Sequence, residues 1–195
     1  MKLKTMLAVM ILLSSGTQAT AVQYKVTDLT PATGGYSWTP YSINNHGAVV
    51  GNGPYPFRWT ESSGVAELQV PEGWYYGSAL SLNNNGQVAG NAVDPLGRYY
   101  AVTWDTRGTM TPTGIGTARG NNDNGQVAGN TSGGATVWSA SGDLLVIATG
   151  NAGAFDINNT SVVVGNLGFK SDYPQAFIWT ATAGVRMLPS LGGSH

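Results

Sequence analysis

The sequence predicts an all-β fold: a β-propeller-like array of four four-stranded units of about 40 residues each. Three observations predict it. One eleven-residue block recurs four times, and a tryptophan follows each copy (Trp59, Trp104, Trp138 and Trp179). After each tryptophan come a tight-turn signal and a short apolar run: Val65–Val70, Met110–Thr113, Leu144–Ala148 and Val185–Leu188. The chain is also rich in glycine (28 of 195 residues) and poor in charge (10%), which suits short strands joined by tight turns. Disordered chains have the opposite composition, with high charge and few aromatics.

The N-terminus reads as a secretory signal peptide over residues 1–21. Lys2 and Lys4 form a basic start, Met6–Leu13 is an unbroken apolar run, and Ala19-Thr20-Ala21 is a small-x-small cleavage site. The apolar run is too short to span a bilayer, which takes about 20 residues, so no transmembrane segment is expected. Secretion, to the outside or to the periplasm, is the expected destination. Cysteine is absent. Disulfides therefore contribute nothing, and stability has to come from packing.

Residues 22–195 are expected to form a single repeat domain. Its units run over about 30–71, 72–114, 115–150 and 151–190, with an extra strand at Tyr24–Leu29. Without Lys2 and Lys4 this part carries 7 basic against 10 acidic residues, a net charge of −3. The charges are scattered. Nucleic acid and anionic membrane surfaces both call for clustered positive charge and are not expected partners.

The repeated block begins at Ser42, Ser81, Gly120 and Asp156. Its glycine position is Gly47, Gly86, Gly125 and then Ser161, giving periods of 39, 39 and 36 residues. Within a unit, the stretch before Ile43 is the first strand. Asn44-Asn45-His46-Gly47 is a hairpin turn, because Asn and Gly tolerate positive φ. Ala48–Gly51 is the second strand, Phe57–Thr60 the third, and Val65–Val70 the fourth, entered through Ser63-Gly64. The recurring tryptophans are expected to be core residues packed between neighbouring sheets. The chain then either closes as a four-bladed ring or remains an incomplete arc, whose open edge invites pairing with another chain.

These blocks resemble a known family. The Ile-Asn-Asn-x-Gly-x-Val-Val-Gly pattern at Ile43–Gly51, Ala176-Phe177-Ile178-Trp179, and the ending Leu188-Pro189-Ser190-Leu191-Gly192-Gly193-Ser194-His195 are similar to the HAF repeats of bacterial extracellular repeat proteins. The histidine of that motif is replaced here by Tyr55, Tyr100, Gly134 and Gln175. The resemblance implies a secreted, propeller-like repeat protein and brings no catalytic residue with it.

The chemistry-bearing residues are few. His46 occupies the variable turn position that is Asn85, Asn124 and Thr160 in the other copies, and His195 ends the chain. Two such histidines do not make a zinc site. The carboxylates do not recur in register, so no acid–nucleophile pair is evident. Asn121-Asn122-Asp123-Asn124-Gly125 has one carboxylate where a calcium loop wants several, and reads as a turn. No catalytic residue, metal or cofactor is expected, and an enzyme is the least favoured reading.

The loops between second and third strands, and between units, are variable and aromatic. Placed at one end of the sheets, they offer Trp38, Tyr55, Trp74, Tyr75, Tyr99 and Tyr173 as candidate ligand-binding residues. Stacking faces with little charge suit a carbohydrate or another neutral polar ligand. The sequence therefore favours a non-enzymatic binding module for an extracellular ligand. A structural or adhesive protein that forms homo-oligomers through strand edges is the alternative.

Overall fold

The computed structural model describes residues 25–29, 37–168 and 174–189. They form four separate antiparallel sheets of four strands, each ordered as the chain runs. Sheet 1 holds β1 (Thr39–Ile43), β2 (Val49–Asn52), β3 (Pro56–Thr60) and β4 (Gly64–Glu67). Sheet 2 holds β5 (Tyr76–Leu82), β6 (Val88–Val93), β7 (Tyr99–Trp104) and β8 (Met110–Ile115). Sheet 3 holds β9 (Thr117–Asn121), β10 (Val127–Thr131), β11 (Gly134–Trp138) and β12 (Leu144–Thr149). Sheet 4 holds β13 (Ala152–Ile157), β14 (Val163–Leu167), β15 (Gln175–Thr180) and β16 (Gly184–Met187). The all-β expectation and the four-strand units hold. Of the extra strand expected at Tyr24–Leu29, the described residues 25–29 form no strand. Each sheet already has its own fourth strand, and Lys25 instead reaches the turn after β3, where its Nζ lies 2.8 Å from Glu61 Oε1.

One local rule shapes most of the turns. An Asn, Asp or Ser opens the turn and its side-chain oxygen accepts backbone N–H groups two or four residues on, as an Asx turn does. Asn44, Asn122 and Asn158 accept from both positions, as do Asp94 and Asp105. Asn83 and Ser139 accept from the fourth. The residue three positions on takes positive φ: Gly47, Gly86, Gly125, Gly97, Gly108 and Gly142, and in the fourth block Ser161 at φ 61°.

A second regularity lies in the first strand of every sheet. Its pairing with the second strand shifts by one residue, leaving Tyr41, Leu80, Arg119 and Phe155 as bulge residues. At this bulge the first strand presses onto the glycine of the second. A Cβ at Gly51, Gly90, Gly129 or Gly165 would overlap the carbonyl oxygen of Thr39, Ser78, Thr117 or Gly153. The glycine of the Val-x-Gly-Asn pattern is therefore required by close approach and not by a turn.

The sheets pack face to face in sequence. The first strand of each lies against the second strand of the sheet before it, and the first strands β1, β5, β9 and β13 are neighbours in turn. Each sheet thus has a leading face, toward the preceding sheet, and a trailing face, toward the next. Val50 and Leu68 on the trailing face of sheet 1 meet Leu82, Val88 and Trp104 on the leading face of sheet 2. Ala89 and Ala101 of sheet 2 meet Ala118, Val127 and Trp138 of sheet 3. Ala128 of sheet 3 meets Ile157, Val163 and Phe177 of sheet 4. A strand sandwiched on both sides is apolar on both faces, which is why all five residues of β11 are buried.

The expectation of four core tryptophans is met by two. Trp104 and Trp138 are fully buried, whereas Trp59 and Trp179 are half-buried. Trp104 points back at sheet 1, and its Nε1 donates to Gln69 O at 2.7 Å. Among the described residues no sheet precedes sheet 1 for Trp59 to enter. The buried aromatics of the outer sheets are Phe57 and Phe177, and Trp38 lies edge-on over Phe57 with ring centroids 5.0 Å apart.

Candidate functional site

The two ends of the sheets are built differently. At one end the turns that join first and second strands stack on one another. Asn44 Nδ2 donates to Asn83 O at 3.1 Å, Asn83 Nδ2 to Asn122 O at 2.8 Å, and Asn122 Nδ2 to Asn158 O at 2.9 Å. A second ladder runs beside it: Asn45 N–H to Asn84 Oδ1, Asn84 N–H to Asp123 Oδ1, and Asp123 N–H to Asn159 Oδ1, at 2.7 to 3.0 Å. Asp123 also accepts from the amides of Asn84 and Asn159, and these bonds hold its carboxyl below the usual carboxylate range. The loop considered for calcium is thus a hydrogen-bonded rung, with its one carboxylate satisfied by amides. His46 is exposed on the first rung.

At the other end, the β2–β3 loop and the segment between β4 and β5 converge. Together they line a cleft of about 200 Å³ that includes Tyr55, Trp74 and Tyr75, with Glu67, Val70 and Pro56 completing it. Three of the six aromatic candidates meet here. Tyr75 is 73% exposed, its backbone N–H donates to Val93 O, and its hydroxyl lies 3.5 Å from Pro95 O. Trp74 rests edge-on against Tyr100 at 5.4 Å and packs on the core between sheets 1 and 2. Trp38 does not line the cleft. It stands against Tyr55, edge-on at 5.4 Å, and its indole N–H is buried with no acceptor among the described residues. Tyr99 is exposed at the start of β7, outside the cleft. Tyr173 lies outside the described residues.

Beside this cleft, the β6–β7 turn contains the most buried carboxylate of the described residues. Asp94 is 3% exposed. Its Oδ1 accepts the N–H groups of Leu96 and Arg98, and its Oδ2 accepts from Arg98 Nε at 2.7 Å. Burial pushes this carboxyl up, but the hydrogen bonds and charge of Arg98, with the Leu96 N–H, outweigh burial and leave it below its ordinary value. Arg98 in turn lies over the Tyr100 ring, 5.6 Å from its centroid. The ion pair thus steadies the ring on which Trp74 rests.

Sequence reasoning missed Glu67 and Val70 as cleft residues, because Glu67 ends the fourth strand, Val70 follows it within the same apolar run, and neither carries a loop signature. It also missed Asp94. The Asp94-x-x-Gly97-x pattern repeats the spacing of the Asn44-x-x-Gly47-x turn and would have identified it. Among the described residues no three His, Asp or Glu side chains come together as metal ligands, and no helix is long and apolar enough to cross a membrane. No protein-family model matches the chain, and a comparison with curated proteins finds no significant relative.

Proposed function

We propose that the protein is a secreted, non-enzymatic binding module whose four sheets act as blades of an incomplete propeller, and that its ligand is a neutral glycan. The observation that carries this reading is the meeting of Tyr55, Trp74 and Tyr75, from two separate loops, in one cleft. Aromatic rings present apolar faces to the C–H side of a sugar, and Glu67 at the rim offers an acceptor for hydroxyls. The volume, about 200 Å³, lies below that of pockets for drug-sized ligands and suits a ring-sized group. The neighbouring first strands support blades that fan out from one line. The signal-peptide layout and the likeness to HAF repeats support export.

A glycan array probed with the exported chain, followed by calorimetric titration of the best binder, tests this reading. Tyr75→Ala removes an exposed ring without disturbing the core, so affinity should fall about tenfold while melting is unchanged. A chain that retains no glycan, or a Tyr75→Ala variant that binds as well as the parent, would overturn it.

A further inference from the structure

The three sheet-to-sheet interfaces inside the chain share one apolar plan and one turn-to-turn amide bond, and the outer faces of sheets 1 and 4 carry the two unmatched halves of that plan. On the trailing face of sheet 4, Val164 is 42% exposed where its counterpart Val50 is 0%, and Leu188 is 43% exposed where Leu68 is 1%. Leu188 and Leu68 are equivalent by backbone as well as by sequence. Each donates its N–H to the residue that precedes the buried Phe of its third strand, Ala176 O and Pro56 O. On the leading face of sheet 1, Ile43 is 68% exposed where Leu82 is 6% and Ile157 is 3%. Trp59 is half-buried where Trp104 is sealed. The four residues at the heart of the interface between sheets 1 and 2 are Val50 and Leu68 against Leu82 and Trp104. Their counterparts, Val164 and Leu188 against Ile43 and Trp59, are partly or largely exposed on the first and last sheets.

The polar groups are split in the same way. In each interior interface the turn Asn of one sheet donates its amide to the carbonyl of the next turn Asn. Asp serves equally well as the turn opener at Asp94 and Asp105, where no such amide bond is made. The amide is therefore needed for the step to the next sheet and not for the turn. Asn158 carries that amide on the last sheet. Among the described residues no neighbouring turn lies beyond it, while Asn44 O and Asn45 Oδ1 hold on the first sheet the positions that accept on the others.

We infer that the trailing face of sheet 4 docks on the leading face of sheet 1 of a second copy of this chain, continuing the internal stack head to tail. Val164 and Leu188 of one copy then cover Ile43 and Trp59 of the next, and Asn158 Nδ2 and the Asn159 N–H reach Asn44 O and Asn45 Oδ1. Pro189 follows Leu188 as Gln69 follows Leu68, so its carbonyl matches the one that receives the Trp104 indole, although Trp138 finds no such acceptor among the described residues. One bond of the interior is missing. Asn52 Oδ1 accepts the Ala79 N–H, and Pro40, at the matching position of sheet 1, has no N–H to offer Asn166. The interior tolerates the same loss between sheets 3 and 4, where Asn130 Oδ1 is buried without a partner among the described residues. Because the two faces differ, the contact is heterologous and either closes into a ring of copies or runs on.

Sedimentation velocity of the exported chain between about 1 and about 100 μM, with Ile43→Asp and Val164→Asp variants, tests this. The parent should gain mass with concentration. Each variant alone should associate at least about tenfold more weakly, with unchanged melting, since both side chains are exposed in the single chain. Mixing the two variants should restore a one-to-one pair, because each supplies the face the other lacks. A parent that stays monomeric throughout would overturn the inference, as would variants that fail to recover on mixing. The first result would mean that another segment or partner covers the faces; the second, that copies meet through like faces.

Discussion

The stacked turns of Asn44, Asn83, Asn122 and Asn158 and the solitary turn of Asp94 share one backbone design and differ in one atom of the opening side chain. In both, Oδ1 collects N–H groups from within the turn. In the stacked turns the second atom is an amide nitrogen that reaches the next sheet, 36 to 39 residues away. At Asp94 it is a carboxylate oxygen that pairs with Arg98 in the same turn. The turns between first and second strands thus devote their side chains to cohesion between sheets. The opposite end of the sheets satisfies its turns locally, so its loops are free to vary and to gather aromatic rings. A binding surface and a cohesive surface arise from the same turn by exchanging one donor for one acceptor.

The sharpest way to break the shared part of this design is to remove its positive φ. Gly86→Val places a β-branched side chain at φ 80°, with its Cβ about 3.1 Å from Thr106 Cγ2. The cost should be about 3 kcal/mol, visible as a clear drop in the denaturation midpoint. The fourth turn already carries Ser161 at φ 61°, with its hydroxyl on Gln126 Oε1 at 2.6 Å. A silent Gly86→Val would show that the turn backbone readily takes another shape.

The part that differs is tested by Asn83→Asp. It keeps Oδ1 for the Gln87 N–H but loses the buried amide that bonds Asn122 O. About 2 kcal/mol of stability should be lost in urea titration. The same change at Asn158 should cost less in the single chain, since its amide crosses to no further sheet among the described residues. Equal losses at the two sites would mean that the amide acts within its own turn and not between sheets.

The smallest effect is expected at Asp94→Asn, and it should depend on pH. The folded carboxyl titrates below its ordinary value. Its contribution is therefore complete above the unfolded value of about 3.9 and is lost as pH falls through the folded one. Melting temperatures of parent and variant should differ at neutral pH and converge below about pH 4. A gap that persists unchanged into acid would remove the ion pair from the explanation.

The strands and turns were legible in the sequence because their causes are local. Asn44-Asn45-His46-Gly47 and its three relatives state a positive φ and a side-chain cap within four residues, and the flanking apolar pairs state the strands. The reading Val65–Val70 starts one residue after β4, which begins at Gly64, and runs three residues past its end at Glu67, because beyond Leu68 the chain turns to sheet 2, where the Gln69 N–H donates to Gly108 O. The aromatic end was readable as a class of loops, but not as a cleft. Tyr55 and Tyr75 are 20 residues apart, and only the packing of sheet 1 on sheet 2 brings their loops together.

The sequence by itself determined an all-β chain, its four units, and the turns that start each of them. Those features depend on φ preferences and alternation over a few residues, which neighbouring side chains state directly. The tertiary structure decided which repeats are equivalent in fact. Trp104 and Trp138 are sealed while Trp59 is not, because each of the first two packs against a preceding sheet and none precedes sheet 1 among the described residues. Gly51, Gly90, Gly129 and Gly165 are needed for the close approach of a bulged strand, a reason no single block displays. Identical blocks become unequal by position in the stack, since an interface needs two faces and the outermost faces of a chain have only one each.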